Sequence, residues 1–277
     1  MTSTTLETVL RRDRLAVFAA LAILTALAWG YILWLTRHMA MPVAGPAMPG
    51  MDMSMDMAGM APEFRPWTVT DFLFSFAMWA VMMAGMMLPS AAPMILLYAR
   101  VGRQAAEQQK PFAATGWFAG GYLLAWTAFS LLAAGLQDGL GRIALLTPML
   151  ASANDFLGGG ILITAGLYQW SSLKFHCLTN CRTPLQFIQL HGGFKRHALP
   201  SLGLGFQHGV YCIGCCWALM LLLFVGGIMN VVWIAGLAIL VLLEKAMSDG
   251  RNVSRVVGLA LIIAGVSLIG QHLNLLA

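Results

Sequence analysis

Residues 70–98 read TDFLFSFAMWAVMMAGMMLPSAAPMILLY and contain one charged side chain, Asp71. A helix of about 20 apolar residues is long enough to cross the hydrocarbon core of a bilayer. Over the whole chain, 59% of the residues are hydrophobic and 10% are charged. A soluble domain contains about 25% charged residues, so this chain has too few to cover a surface in water. The sequence therefore predicts an all-α, polytopic bundle of transmembrane helices with the lipid bilayer as its surroundings.

Apolar runs of similar length recur along the chain and predict seven spans in all. These runs lie at residues 15–36, 70–98, 112–136, 154–173, 200–224, 228–244 and 256–276. With a cytoplasmic N-terminus, 13 of the 16 Lys and Arg residues fall on the cytoplasmic side. Because cytoplasmic loops are enriched in Lys and Arg, this distribution predicts a multi-pass protein of a bacterial inner membrane with its N-terminus inside. The basic residues are scattered, so nucleic acid is not expected as a partner.

The same layout divides the chain into three parts. Residues 1–36 form a cytoplasmic tail and the first span, residues 37–69 an outer loop, and residues 70–277 a six-helix core that carries the metal-binding motifs. The first span lacks a clear small-residue cleavage site, so we expect a retained helix. The outer loop is rich in Met, Pro and Gly without a periodic apolar pattern, and we expect it to be flexible.

The centre of the outer loop has a methionine at every second position, namely Met51, Met53, Met55 and Met57. Methionine is unusual on a water-facing loop, so this alternation indicates a role other than packing. Thioether sulfur is a soft, uncharged ligand of the kind that selects Cu(I). The loop is therefore a candidate Cu(I)-binding segment, and a linker with chance enrichment in Met is the alternative.

The second span carries two rows of methionine. Met82 and Met86 are four residues apart and lie on one helix face, and Met83 and Met87 repeat the arrangement one step round. These two adjacent thioether ladders are similar to the paired methionines of the Ctr-type copper importers. The ladders are candidate Cu(I) ligands, while the alternative is that methionine is a flexible filler of the core.

The fifth span carries a histidine and three cysteines at helical spacing. His208, Cys212 and Cys215 fall on one face of a helix, and Cys216 lies at the edge of that face. Placing an ionisable residue inside a membrane span costs free energy, so the presence of His208 indicates a functional role. Imidazole and sulfur ligands suit Cu(I), with Zn²⁺ as the harder alternative. A redox pair formed by Cys212 and Cys215 remains open.

A third motif follows the fourth span, in a segment predicted to be cytoplasmic. His176 and Cys177 are adjacent, and Cys181 lies one helical turn later, so the three are candidate metal ligands. We expect the positive charges of Lys174 and Arg182 to lower the pKa of both thiols and favour thiolate. The alternative is that these are ordinary polar residues of a loop.

Three motifs together resemble a known bacterial family. They read WAVMMAGMMLPSAAPM at residues 79–94, HCLTNC at residues 176–181 and HGVYCIGCCW at residues 208–217. As a set they resemble the membrane proteins grouped as domain of unknown function 2182, which are described as predicted metal-binding integral membrane proteins. The resemblance implies a membrane location and a metal site within about residues 70–250.

Copper handling is the function that these features favour: uptake, sequestration or transfer of Cu(I), with a copper chaperone or an oxidase-assembly factor as a possible partner. No ATP-binding motif is present, so any transport would be passive or ion-coupled. The alternative is an enzyme, a membrane thiol–disulfide oxidoreductase that uses the Cys212/Cys215 and Cys177/Cys181 pairs. A purely structural subunit and a haem protein are further alternatives, and we expect a binding protein over an enzyme.

Overall fold

The computed structural model describes residues 3–39, 67–109, 113–143, 154–247 and 249–276. Regular structure in these residues is α-helical, which confirms the predicted all-α class. The helices are α1 (Ser3–Met39), α2 (Val69–Glu107), α3 (Thr115–Arg142), α4 (Asp155–Tyr168), α5 (Ser172–Arg182), α6 (Pro184–Leu190), α7 (Ala198–Leu221), α8 (Leu223–Gly226), α9 (Val231–Ala246) and α10 (Gly250–Leu276).

Five helical segments of the described chain are long and apolar enough to cross a membrane. They are Val17–His38, Val69–Ala105, Thr115–Arg142, Ala198–Gly226 and Gly250–Leu273. Large apolar side chains remain exposed on the outside of the bundle, among them Leu27, Leu132, Val232 and Ile263. Such a surface is typical of contact with lipid, and the length and composition of these helices indicate a multi-pass membrane protein.

The structure corrects the predicted number of spans from seven to five, counted over the described residues. The predicted spans at residues 154–173 and 228–244 correspond to α4, with 14 residues, and α9, with 16. At a rise of 1.5 Å per residue these helices are about 21–24 Å long, less than the hydrocarbon thickness of about 30 Å. The first of them ends early because the chain turns after Tyr168, and Ser171 caps the next helix by accepting from the Lys174 amide.

Close packing of α3 and α7 organises the centre of the bundle. A Cβ atom on Gly121 would lie 2.0 Å from the Leu202 carbonyl oxygen, and one on Gly205 would lie 2.0 Å from the Phe118 carbonyl oxygen. Only glycine permits the two backbones to approach so closely, which is a frequent device between membrane helices. This packing places the cysteine face of α7 beside Tyr122 of α3.

A buried ion pair holds α5 in place. The Lys174 ammonium lies 2.7 Å from a carboxylate oxygen of Glu244 on α9, and both side chains are almost fully buried. The second Glu244 oxygen accepts from the Gln169 amide and from the Ser254 hydroxyl, each at 3.1 Å. A buried pair is tolerated when its remaining polar atoms are also bonded. This network joins α5, α9 and α10, and it fixes the two cysteines of α5 against α7.

Candidate metal centre

Three buried thiols lie within two turns of α7. Cys212, Cys215 and Cys216 are each at most 2% exposed. The Cys215 and Cys216 thiols donate to the Cys212 carbonyl oxygen at 3.0 and 2.9 Å. These bonds orient the two side chains back along the helix, toward the Cys212 side chain. The three thiols thus lie close together on α7, as their helical spacing in the sequence predicts.

The second pair of cysteines, on α5, joins the same cluster. The Cys181 thiol lies within hydrogen-bonding reach of Cys212 and Cys215. Cys177 packs against α7 at Gly214, where a Cβ atom would lie only 2.7 Å from the Cys177 sulfur. All five cysteines are free thiols. The two motifs that are about 30 residues apart in the sequence thus form one thiol cluster, which spacing alone did not indicate.

The expectation of acidic thiols on α5 is wrong. Hydrogen bonds that the Cys181 thiol donates to Cys212 and Cys215, and then burial, raise the pKa of this thiol well above its usual value. Burial likewise raises the pKa of the Cys177 thiol. The two nearby cations do not act on these thiols, because Lys174 pairs with Glu244 and the Arg182 guanidinium donates to the Met247 carbonyl.

A lysine that the motif analysis did not consider contacts the thiol cluster. The Lys245 ammonium, at the end of α9, lies 2.9 Å from the Cys212 sulfur and donates to the Ser90 hydroxyl at 3.0 Å. On the other side, the Tyr122 hydroxyl lies 3.1 Å from the same sulfur. The sequence signal is Lys245 itself, which follows Glu244 at the end of an apolar run.

His208 lies one turn before Cys212 and is 2% exposed. Its ring contacts those of Phe118, Tyr122 and Phe187 at centroid distances of 6.0, 5.8 and 5.1 Å. Its Nδ1 atom has no hydrogen-bond partner in the structure. Buried polar atoms are normally bonded, so an unpartnered imidazole nitrogen one helical turn from Cys212 fits a ligand-binding role.

The methionine ladders of α2 are fully buried, with Met83 and Met87 at 0% exposure and Met82 and Met86 at 2%. At Met87, the last methionine of the ladders, the Tyr122 hydroxyl donates to the backbone carbonyl at 3.2 Å. Tyr122 of α3 also contacts Cys212, and Lys245 of α9 bridges Ser90 and Cys212, so these two side chains link α2 to α7.

His176 does not join the cysteines that flank it in the sequence. Cys177 is buried against α7, whereas the His176 side chain is exposed and lines a cleft with His191 and Tyr211. Successive residues of a helix point about 100° apart. The side chains of the motif at residues 176–181 therefore lie in two different sites, the thiol cluster and the cleft. Sequence adjacency therefore grouped residues that the fold separates.

Within the described ranges, no three His, Cys, Asp or Glu side chains are arranged as a ready-made coordination sphere. The thiols of α5 and α7 are instead linked by hydrogen bonds. Met51, Met53, Met55 and Met57 of the outer loop lie outside the described residues.

The fold and the site together define a multi-helix membrane protein that collects thiols, thioethers and one histidine in its core. A family model, PpoB2, described as a copper chaperone, matches residues 76–268. This range covers more than half of the chain and contains all three motifs, so the chain belongs to the PpoB2 copper chaperone family. The match carries this name and not that of domain of unknown function 2182. No curated protein and no solved structure matches the chain.

Proposed function

We propose that this protein is an inner-membrane copper chaperone that binds Cu(I) inside its helix bundle and transfers the ion to a partner. The observation that carries the proposal is the convergence of Cys181, Cys212 and Cys215 from two separate motifs, one helical turn from His208, whose buried Nδ1 atom has no partner. Thiolate is the ligand that most favours Cu(I) among the ions available to a cell. Zn²⁺ remains the alternative cargo.

Binding by two of these thiols is a simple exchange of protons for metal. Each thiol loses one proton to the solvent or buffer, and two S–Cu bonds form, so that a bis-thiolate complex of Cu(I) has a formal charge of −1. The Lys245 ammonium, 2.9 Å from the Cys212 sulfur, offsets this charge. In a low-dielectric interior such a counter-charge stabilises the complex strongly. His208 supplies a third, neutral ligand at the same depth.

The thioethers of α2 provide the route to the thiols. Met82, Met83, Met86 and Met87 are buried and need no deprotonation to bind a soft ion. Their row ends at Met87, whose carbonyl shares the Tyr122 hydroxyl with Cys212. Affinity for Cu(I) rises from thioether to thiolate, so ions move toward the cysteines. This direction suits uptake, sequestration or delivery better than export.

The orientation and the partner belong to the same proposal. With the N-terminus in the cytoplasm, the Met-rich segment at residues 37–69 captures Cu(I) outside, and Met51, Met53, Met55 and Met57 are its first ligands. The thiols of α5 and α7 are then the inner acceptors. The partner is a copper chaperone or an oxidase-assembly factor that receives the ion.

A titration of the purified protein tests the central claim. The detergent-solubilised chain is titrated with Cu(I) under reducing conditions against a competing chelator, next to a Cys212→Ser/Cys215→Ser variant. We expect tight stoichiometric binding in the native protein and its loss in the variant. His197→Ala, which changes an exposed histidine, is the control and should bind like the native protein. Equal binding by native protein and thiol variant would contradict the proposed site.

A second candidate, a thiol–disulfide oxidoreductase, is favoured by one contact: Cys181 lies within reach of both Cys212 and Cys215. In that reaction two thiols become one disulfide, and two electrons and two protons pass to a quinone. The assay is quinone-dependent loss of free thiols in the metal-free protein, with Cys181→Ser as the diagnostic variant. Turnover that depends on Cys181 would support the enzyme, and slow oxidation that is independent of quinone would exclude it.

A further inference from the structure

A cleft of about 640 Å³ opens beside the thiol cluster, between α5, α6 and α7. Two histidines line it, His176 from α5 and His191 from the end of α6, together with Tyr211 of α7. The ring of Tyr211 lies 6.1 Å from that of His176 and 5.6 Å from that of His191. The two imidazoles therefore flank one tyrosine at an open surface. The motif analysis included only one of them.

His191 is held in the form that binds metals. Its Nδ1 atom lies 2.7 Å from the Phe187 carbonyl oxygen. Because a carbonyl oxygen only accepts hydrogen bonds, Nδ1 carries the proton and Nε2 keeps its lone pair. A histidine whose other nitrogen donates to a backbone carbonyl is the usual arrangement of a metal ligand, since this bond fixes the tautomer and the ring orientation.

One aromatic side chain connects the cleft with the buried centre. The Phe187 ring lies 4.3 Å from the ring of His191 and 5.1 Å from that of His208, centroid to centroid. His208 is buried and has an unpartnered Nδ1 atom. The Phe187 ring thus contacts both the buried His208 and His191 of the cleft. The sequence did not predict that these two histidines contact the same aromatic ring.

We infer that His176 and His191 form an exchange site for Cu(I), through which the ion enters or leaves the buried thiols. This inference rests on the proposed function. Neutral imidazole binds Cu(I) less strongly than thiolate, so an ion stays at the cleft only briefly and passes readily to an external ligand. The Arg251 guanidinium, which also lines the cleft, favours an anionic carrier of the ion.

The test measures the rate of metal exchange separately from the affinity. Native protein and a His176→Ala/His191→Ala variant are loaded with one Cu(I) and mixed with the anionic chelator bathocuproine disulfonate. We expect extraction to slow by about tenfold or more in the variant, because ligands that stabilise the transition state are lost. The equilibrium affinity should stay unchanged. Loading must then slow by the same factor, since an unchanged Kd requires both rates to fall together.

Two further variants make the outcome decisive. A His176→Gln/His191→Gln variant keeps polar side chains in the cleft and should be slowed like the Ala variant. His197→Ala, an exposed histidine that does not line the cleft, should exchange at the native rate. Native exchange rates in both double variants, slowing in the His197 control, or a large loss of affinity would each overturn the inference. If the native protein binds no Cu(I), the proposed function itself fails.

Discussion

The Nζ atom of Lys245 lies 2.9 Å from the Sγ atom of Cys212, although the two residues belong to different helices. The ammonium also donates to the Ser90 hydroxyl, which anchors it between α2 and α7. A positive charge in this place balances a Cu(I) bis-thiolate to zero. The same ligands around Zn²⁺ would leave a net charge of +1, and an unbalanced charge is costly in a low-dielectric interior. At the proposed site, we therefore expect Lys245 to favour a monovalent ion.

Replacing Lys245 by Met should lower the affinity for Cu(I) by about tenfold, since the complex then keeps an uncompensated charge. The affinity for Zn²⁺ should stay the same or rise, because a repulsive charge is removed. Competition titrations with each ion on the same preparation measure both constants. Arg100→Met removes an exposed positive charge from α2 and should change neither. Equal losses for the two ions would show that Lys245 acts only through the fold.

The methionine ladders give a prediction that separates a metal path from simple core packing. Changing Met82, Met83, Met86 and Met87 together to Leu conserves volume and should cost little stability per site. If the thioethers conduct the ion, uptake of Cu(I) into proteoliposomes should fall by about tenfold or more, while equilibrium binding at the thiols persists. Met220→Leu, another buried methionine, is the control. Unchanged uptake in the fourfold variant would assign the ladders to packing alone.

The contact between α3 and α7 predicts a large effect of one added methyl group. Gly205→Ala would place a Cβ atom 2.0 Å from the Phe118 carbonyl oxygen, so the helices must move apart. We expect the free energy of unfolding to fall by about 3 kcal/mol, at the upper end for overpacking. Gly203→Ala, on the same helix, meets no atom within 4 Å and should leave the stability unchanged. Thermal unfolding in detergent compares the two, and similar midpoints would contradict the described packing.

The buried ion pair predicts a rescue. Glu244→Gln leaves the Lys174 ammonium without its partner 2.7 Å away and should destabilise the protein by about 3–5 kcal/mol. Removing both charges, as Lys174→Met/Glu244→Leu, should recover most of that loss, because no buried charge then remains. The measurement is again thermal unfolding in detergent. A double variant as unstable as the single one would mean that Glu244 acts mainly through Gln169 and Ser254.

Helical spacing and composition predicted much of this molecule. The apolar runs indicated a membrane bundle, and the four-residue spacing of the methionines correctly grouped residues of one buried helix. The same reasoning placed Cys212, Cys215 and Cys216 together, because residues on one helix keep their spacing in any fold. It overestimated the spans, since α4 and α9 have apolar composition but are too short to cross. Apolar composition indicates burial, whereas helix length depends on where the chain turns.

The sequence by itself determined the helical class, the membrane character and the sulfur-rich faces of individual helices. Only the tertiary structure decided that Cys181 meets Cys212, that Lys245 contacts the same thiol, and that His176 points away from them and lines a cleft with His191. These relationships link different helices, and they depend on how closely glycines such as Gly121 and Gly205 let backbones approach and on the buried ion pair that holds α5. Periodicity describes one helix at a time, and contacts between helices are set by packing.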